Sequence, residues 1–462
     1  MFISQSGVRL SSCLKYFRHF NKSIPVRTMS SHMSKFTLPP RFEASVYSVW
    51  VEFIQLSLDH KPLNLGQGFP DYESAPAHVA KGLADACTGE NKLLNQYTRG
   101  FGHPRLVQAI GKLYSGLINR SLNPNSEVLV TVGAYEALFC AINGVLHPGD
   151  EVIIIEPFFD CYAPMTSAAG GVPVYIPLRD TKPNATGAKS SDDFKLDPQE
   201  LESKFSSKTK LIILNTPHNP LGKVFDRSEL ELIANLCKKY NVICISDEVY
   251  EWQVYKPKEH IRICTLPDMF ERTITIGSAG KTFSMTGWKL GWAYGPAALM
   301  RNLQIVHQNC IYTSNTPTQE AVARSFETEI NKMTSAGSQQ ECYFYSISDE
   351  LRPKREILAE ALTKAGMIPV IPDGGYFMLA DWTQLKPLLK LDSESDKYQD
   401  FKFAKWMTKN VKLQGIPPSA FYSDENKNLG ENLIRYCFFK KDETLREASK
   451  ILQNWTRQQN KL

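Results

Sequence analysis

From Glu43 onward the chain alternates short runs of β-branched and aliphatic residues with longer stretches in which apolar positions recur every three or four residues. The strand-like runs are EVLVTV (127–132), EVIII (151–155), PVYI (173–176), KLIIL (210–214), VICIS (242–246) and TITI (273–276). They are apolar along their whole length, not alternating, which predicts strands buried on both faces of a parallel sheet. Amphipathic segments of helical length lie between several of them, at 134–146 and 228–240 for example. In the second, Ser228 is the expected N-cap, with Glu231 three residues on. The fold class predicted is α/β, with a large domain whose mostly parallel sheet is covered by helices on both faces.

Beyond Thr318 the pattern changes. A helix-rich region at 318–364 is followed by shorter strands at 367–371, 376–380 and 433–438 and a polar insert at 392–400. This predicts a smaller α+β domain. The expected division is a basic leader (1–42), an N-terminal segment completing the small domain (43–75), a large domain (76–325), and a linking helix with the small C-terminal domain (326–462). The Lys/Asn/Ser/Asp-containing stretch 180–193 reads as a loop. A ligand site at the junction of two such domains is the default expectation.

Charge changes this picture at one end only. The chain carries a formal net charge of +5, from 53 Lys+Arg and 48 Asp+Glu. Seven basic residues (Arg9, Lys15, Arg18, Lys22, Arg27, Lys35, Arg41) and no acid precede Glu43, so the remainder has 46 against 48, a net of −2. A near-neutral body argues against nucleic-acid binding, which needs a basic surface on the fold itself. Basic, Ser-rich and free of acid, the leader has the composition of a mitochondrial transit peptide; a disordered basic tail is the alternative. Met29 and Met33 offer later starts for a cytoplasmic form. No apolar run approaches the roughly 18 residues that span a bilayer. The ten cysteines form no CxxC pair and several sit in apolar runs, so they read as small core residues in a reducing compartment, with no metal expected.

The candidate chemistry centres on IGSAGKTFSMTGWKLGW (276–292). Lys281 follows a strand among small and hydroxyl residues, with Ser278 before it and Lys289 after it. A lysine in a desolvated pocket with cationic neighbours loses basicity and can form an imine; a solvated loop lysine is the plainer reading of the same residues. EVLVTV runs into Gly133, Ala134 and Tyr135 and then a helix, and free N–H groups at a helix start bind anions. Asp247 closes the VICIS strand, where a carboxylate can also merely cap the next helix. Arg435 lies within a strand between Ile434 and Tyr436, an odd place for an exposed charge.

These pieces occur with others in a fixed order: NLGQGFPD (64–71), NQYTRGFGHP (95–104), VTVGAYEALF (130–139), DEVIIIEPFFDCY (150–162), LNTPHNPLGKVF (214–225), SDEVYE (246–251), GSAGKTFSMTGWKLGW (277–292) and LIRYCFFK (433–440). In them the chain resembles the class I, fold type I aminotransferases that depend on pyridoxal 5′-phosphate. Within these it is most similar to the kynurenine aminotransferase and cysteine-conjugate β-lyase group, also called glutamine transaminase K.

The resemblance implies roles. Lys281 would hold the cofactor covalently and move protons; Asp247 would pair with its ring nitrogen; Tyr250 and Asn219 would bond its 3′ oxygen. Ala134, Tyr135, Ser278 and Lys289 would surround its phosphate and ring, and Tyr97 would reach in from a second subunit of a homodimer. Arg435 would clamp the substrate α-carboxylate, aided by Gly68 and Asn219. Trp50, Phe159, Tyr135 and Tyr97 would surround an aromatic, sulfur-containing or otherwise uncharged side chain. The implied activity is transamination of kynurenine or a related amino acid with a 2-oxo acid. Cysteine-conjugate β-elimination and glutamine/phenylpyruvate transamination are alternatives, and a cofactor-binding regulator is a remote one.

Three departures bear on substrate range. QNCIYTSNTPTQ (308–319) lacks the family's histidine before CPTQ and reads as a longer loop, His103 stands where an aromatic is common, and Ala134 replaces a glycine.

Overall fold

Seven strands form the main sheet of the computed structural model, which describes residues 37–45, 48–335, 337 and 339–459. Residues 1–36 of the expected leader therefore lie outside the described residues. In chain order the strands are β1 (Val128–Thr131), β2 (Glu151–Glu156), β3 (Val172–Pro177), β4 (Lys189–Ser190), β5 (Thr209–Asn215), β6 (Ile243–Asp247), β7 (Thr273–Ser278), β8 (Gly291–Tyr294), β9 (Ile368–Ile371), β10 (Phe377–Asp381) and β11 (Leu433–Cys437). The large sheet has the order β1-β8-β7-β6-β5-β2-β3. All its neighbours pair in parallel except at β8, which is antiparallel to both β7 and β1.

Alternate residues of each central strand feed opposite layers, as the period of two requires. Val152, Ile154, Leu211, Ile213 and Ile245 pack with the helices Gly133–Val145 and Ala297–Cys310. Ile153, Ile155, Ile212 and Leu214 pack with the helix Arg227–Tyr240 on the other face. Both faces are thus covered.

The second sheet has the order β11-β10-β9-β4, with β9, β10 and β11 antiparallel. Its fourth strand comes from the stretch expected to be a loop: Lys189 and Ser190 pair in parallel with Val370 and Ile371. Nearby, Arg179–Asp180 and Phe194–Lys195 close an antiparallel stem. Leu63–Asn64 pairs with Leu413–Gln414, joining the N-terminal segment to this smaller domain.

Two details correct the sequence reading. The helix Arg227–Tyr240 is capped by Asp226, whose side chain accepts from Glu229 N while Glu229 reaches back, so the capping box lies two residues before Ser228 and Glu231. The expected boundary at 325 falls inside the helix Thr316–Thr334, which packs on the large domain's helices Ala77–Thr88 and Pro104–Leu117. The chain passes to the small domain only after it, along Tyr343–Lys364.

Candidate active site

The carboxyl ends of the parallel strands deliver the polar residues of one cavity, as open α/β sheets do. Asn215, Asp247 and Ile276 are level across β5, β6 and β7, and Ser278 ends β7. A short helix, Ala279–Thr282, then carries Lys281. Between the two domains these ends border a cavity of about 280 Å³. Twelve of the thirteen residues singled out in the sequence line it: Trp50, Gly68, Ala134, Tyr135, Phe159, Asn219, Asp247, Tyr250, Ser278, Lys281, Lys289 and Arg435. Tyr97 does not. It is 84% exposed and borders a separate depression beside Thr313–Pro317, its ring 6.0 Å from that of Tyr312.

One end of the cavity is a helix start. Gly133 has φ +74°, a conformation that suits glycine, and turns the chain from β1 into the helix Gly133–Val145. Gly291 on β8 passes so close that an added Cβ would stand 2.6 Å from Ala134 N, so only glycine lets that strand run against the helix. Lys289 Nζ lies over the Tyr135 ring at 5.8 Å. First-turn N–H groups beside a lysine and Ser278 form an electropositive cradle for a phosphate.

At the centre lie two titratable groups of opposite sign, Asp247 buried and Lys281 partly buried. Asp247 is 4% exposed, and its Oδ2 accepts from the Tyr162 phenol at 2.6 Å. Burial raises its carboxyl to about 6 in spite of that bond. Lys281 Nζ donates to the Tyr376 phenol oxygen at 2.7 Å. Burial pushes its amine down to about 8, with Arg435 and Lys289 adding to the shift. Two groups driven toward neutrality in one cleft are the usual mark of acid–base chemistry.

The far wall holds Arg435, 1% exposed on β11. Its two terminal nitrogens donate to Asn219 Oδ1 at 3.0 Å and Gly66 O at 3.1 Å, whereas its Nε has no partner among the described residues. Phe377, Phe421 and Trp50 stand 4.0, 5.0 and 5.2 Å from the guanidinium carbon. Burial lowers its basicity to about 10. A buried cation with a donor to spare, walled by rings, is a ready receptor for a carboxylate. Trp50 Nε1 donates to Asp160 Oδ2 at 2.6 Å, fixing one wall, and Phe159 meets Tyr135 edge to face at 6.3 Å on another.

Three participants were not assigned from the sequence. Tyr162 and Asn215 stand inside recognised motifs, but only the fold shows that Tyr162 bonds Asp247 and that Asn215 Nδ2 holds the Asp247 carbonyl at 2.9 Å. Tyr376 lies 95 residues from the lysine it touches, and no local pattern marks it.

Comparison with known proteins gives a consistent result. The family model for aminotransferase class I and II matches residues 60–452. Kynurenine–oxoglutarate transaminase 3 of Homo sapiens is 50% identical over 463 residues, covering 100% of both chains. Kynurenine–oxoglutarate transaminase 1 of Mus musculus is 46% identical over 92% of this chain and 99% of its own. Among solved structures, Bna3p from Saccharomyces cerevisiae superposes with a TM-score of 0.83 at 33% identity, covering 91% of this chain and 99% of that one.

Proposed function

The chain belongs to the class I and II aminotransferases, and on that premise we propose that it moves the amino group of kynurenine, or of a related aromatic or sulfur-containing amino acid, to a 2-oxo acid such as 2-oxoglutarate, with pyridoxal phosphate as cofactor and both half-reactions at one site. The carrying observation is the single cavity that holds a lysine amine lowered to about 8, a buried carboxylate and a buried arginine with an unpartnered Nε.

Aminotransferases of this family generally depend on pyridoxal phosphate, and the donor set suits that group. The helix start with Ser278 and Lys289 would hold its phosphate, and the Tyr135 face its ring. Asp247 would pair with its ring nitrogen, Tyr250 and Asn219 with its phenolic oxygen, and Lys281 with its aldehyde. Among the described residues the buried Asp247 carboxylate accepts from the Tyr162 phenol and Val249 N, both neutral, so its charge suits pairing with such a nitrogen. When bound, the cofactor supplies an aldehyde that takes up the amino nitrogen and a ring that accepts electrons.

The remaining work belongs to the protein. Arg435, with Asn219 and Gly68, orients the substrate's α-carboxylate. Trp50, Phe159 and Tyr135 enclose an uncharged side chain and exclude water. Lys281 takes the proton from Cα of the amino donor in one half-reaction and delivers a proton to Cα of the oxo-acid-derived product in the other.

Two further features belong to this reading. Tyr97, exposed with Leu93 and Tyr312, supports a homodimer in which Tyr97 completes the neighbouring site. The basic leader supports a mitochondrial address, with starts at Met29 or Met33 yielding cytoplasmic protein; fractionation of cells expressing the full chain tests that. For the activity, purified enzyme is supplied with kynurenine and 2-oxoglutarate, and glutamate formation is followed. Lys281→Ala should reduce turnover at least about 10³-fold. Retained turnover in that variant would sink the assignment. Pyruvate released from a cysteine S-conjugate without any oxo acid would move it to β-elimination.

A further inference from the structure

The Lys281 amine is held by a residue that neither the motifs nor the family roles single out. Tyr376 is 1% exposed, in the turn leading into β10, and its ring is packed by Phe377 at 4.9 Å and Phe439 at 5.3 Å. Its phenol oxygen lies 2.7 Å from Lys281 Nζ and 3.1 Å from Gly68 O. On another side the Tyr250 ring meets it edge to face at 5.2 Å.

The direction of each bond follows from what the groups can do. A backbone carbonyl only accepts, so the bond to Gly68 uses the one proton Tyr376 has. Were that proton turned to the Tyr250 oxygen instead, the result at Lys281 would be the same. Burial pushes the Tyr376 phenol well above its ordinary value, so it does not ionise. Its oxygen is left with lone pairs, and Lys281 must be the donor between them. An amine with one N–H fixed in this way has its own lone pair directed away from the phenol.

We propose that Tyr376 is a positioning residue for Lys281: together with Gly68 O it docks the amine when the lysine is not covalently engaged, and holds its lone pair ready for the substrate's Cα proton. The inference rests on the reading of Lys281 as the reacting lysine. In the step concerned, the Cα–H bond breaks, its electron pair stays with the substrate framework, and the proton goes to the Nζ lone pair, making an ammonium. Tyr376 gains and loses nothing; it sets where the amine stands and which way it faces. Because Tyr376 and Gly68 belong to the small-domain side and Lys281 to the large one, the dock is complete only when the two domains meet.

Tyr376→Phe removes the oxygen and keeps the ring. In the cofactor-free protein, competitive labelling of Lys281 with acetic anhydride across pH, read by peptide mass spectrometry, reports the amine alone. Without its acceptor the ammonium loses stabilisation, so Lys281 should label about three- to fivefold faster near pH 7. In the holoenzyme the single-turnover reaction with the amino donor should slow about tenfold and show a larger isotope effect with Cα-deuterated donor. A merely structural loss would not make the amine more reactive while slowing proton transfer. Tyr376→Gln, which returns an acceptor oxygen, should recover part of both changes and serves if phenylalanine is not tolerated. Labelling, rate and isotope effect all within twofold of wild type would overturn the proposal. If wild type itself proved inactive toward amino donors, the functional reading would fall, and the labelling profile alone would still decide the role of Tyr376.

Discussion

Asp247 is the residue at which stability and function pull in opposite directions. Its carboxyl is raised from an ordinary 3.8 to about 6 by burial, so in the cofactor-free protein ionising it costs folding energy. The cost is absent below about pH 4, where folded and unfolded chains are both protonated. It grows as pH rises and is complete above about pH 6. Asp247→Asn removes the charge and keeps an oxygen for Tyr162. The cofactor-free variant should melt a few degrees higher than wild type at pH 7.5 and lose that advantage near pH 4, by differential scanning calorimetry. With cofactor supplied, its turnover should fall about 10²-fold or more. The identity of Lys281, Asp247 and Arg435 was readable because each sits in a motif with fixed neighbours. Tyr162 and Tyr376 were not, because their significance is a contact across 85 or 95 residues of chain, which no window of sequence contains.

Among elements, the helix Gly133–Val145 does more than present N–H groups. Glu136 on its first turn accepts from Val132 N at 2.8 Å, from the Cys140 thiol at 3.0 Å and from His307 Nδ1 at 2.8 Å. His307, on the helix Ala297–Cys310, donates its other nitrogen to Gly100 O at 2.9 Å. Glu136 and His307 thus tie the helix start at one end of the cavity to the turn just after Tyr97. Burial would raise Glu136, but the bonds from His307, Cys140 and Val132 keep it below its ordinary value. His307→Ala leaves that buried carboxylate without its imidazole partner and should cost about 2 kcal/mol in chemical denaturation. The long apolar strands were legible because burial on both faces leaves no polar position to confuse their pattern. β8 and β4 were not: four residues with a glycine and two residues in a polar loop carry no periodicity, and their pairing is set by the sheets that receive them.

At the scale of the whole molecule, the two-domain plan followed from a change in strand length and spacing, whereas the boundary did not, because Thr316–Thr334 and Tyr343–Lys364 share one amphipathic character and only packing separates them. The proposed homodimer, with Tyr97 completing the neighbouring site, makes a further demand. Mixing Tyr97→Ala with Lys281→Ala subunits, each inactive alone, and allowing exchange should restore roughly a quarter of wild-type activity, since half of the dimers would hold one intact site of two. No recovery, with exchange verified by mass spectrometry, would place Tyr97 outside the neighbouring site. One further constraint comes from β4. The small sheet takes its edge strand on loan from the middle of the large domain, anchored on both sides by the stem Arg179–Asp180 and Phe194–Lys195. Three residues, Ser191–Asp193, separate that strand from Phe194, so moving the small sheet's edge away from the stem would have to straighten this short tether or unpair Lys189–Ser190 from Val370–Ile371.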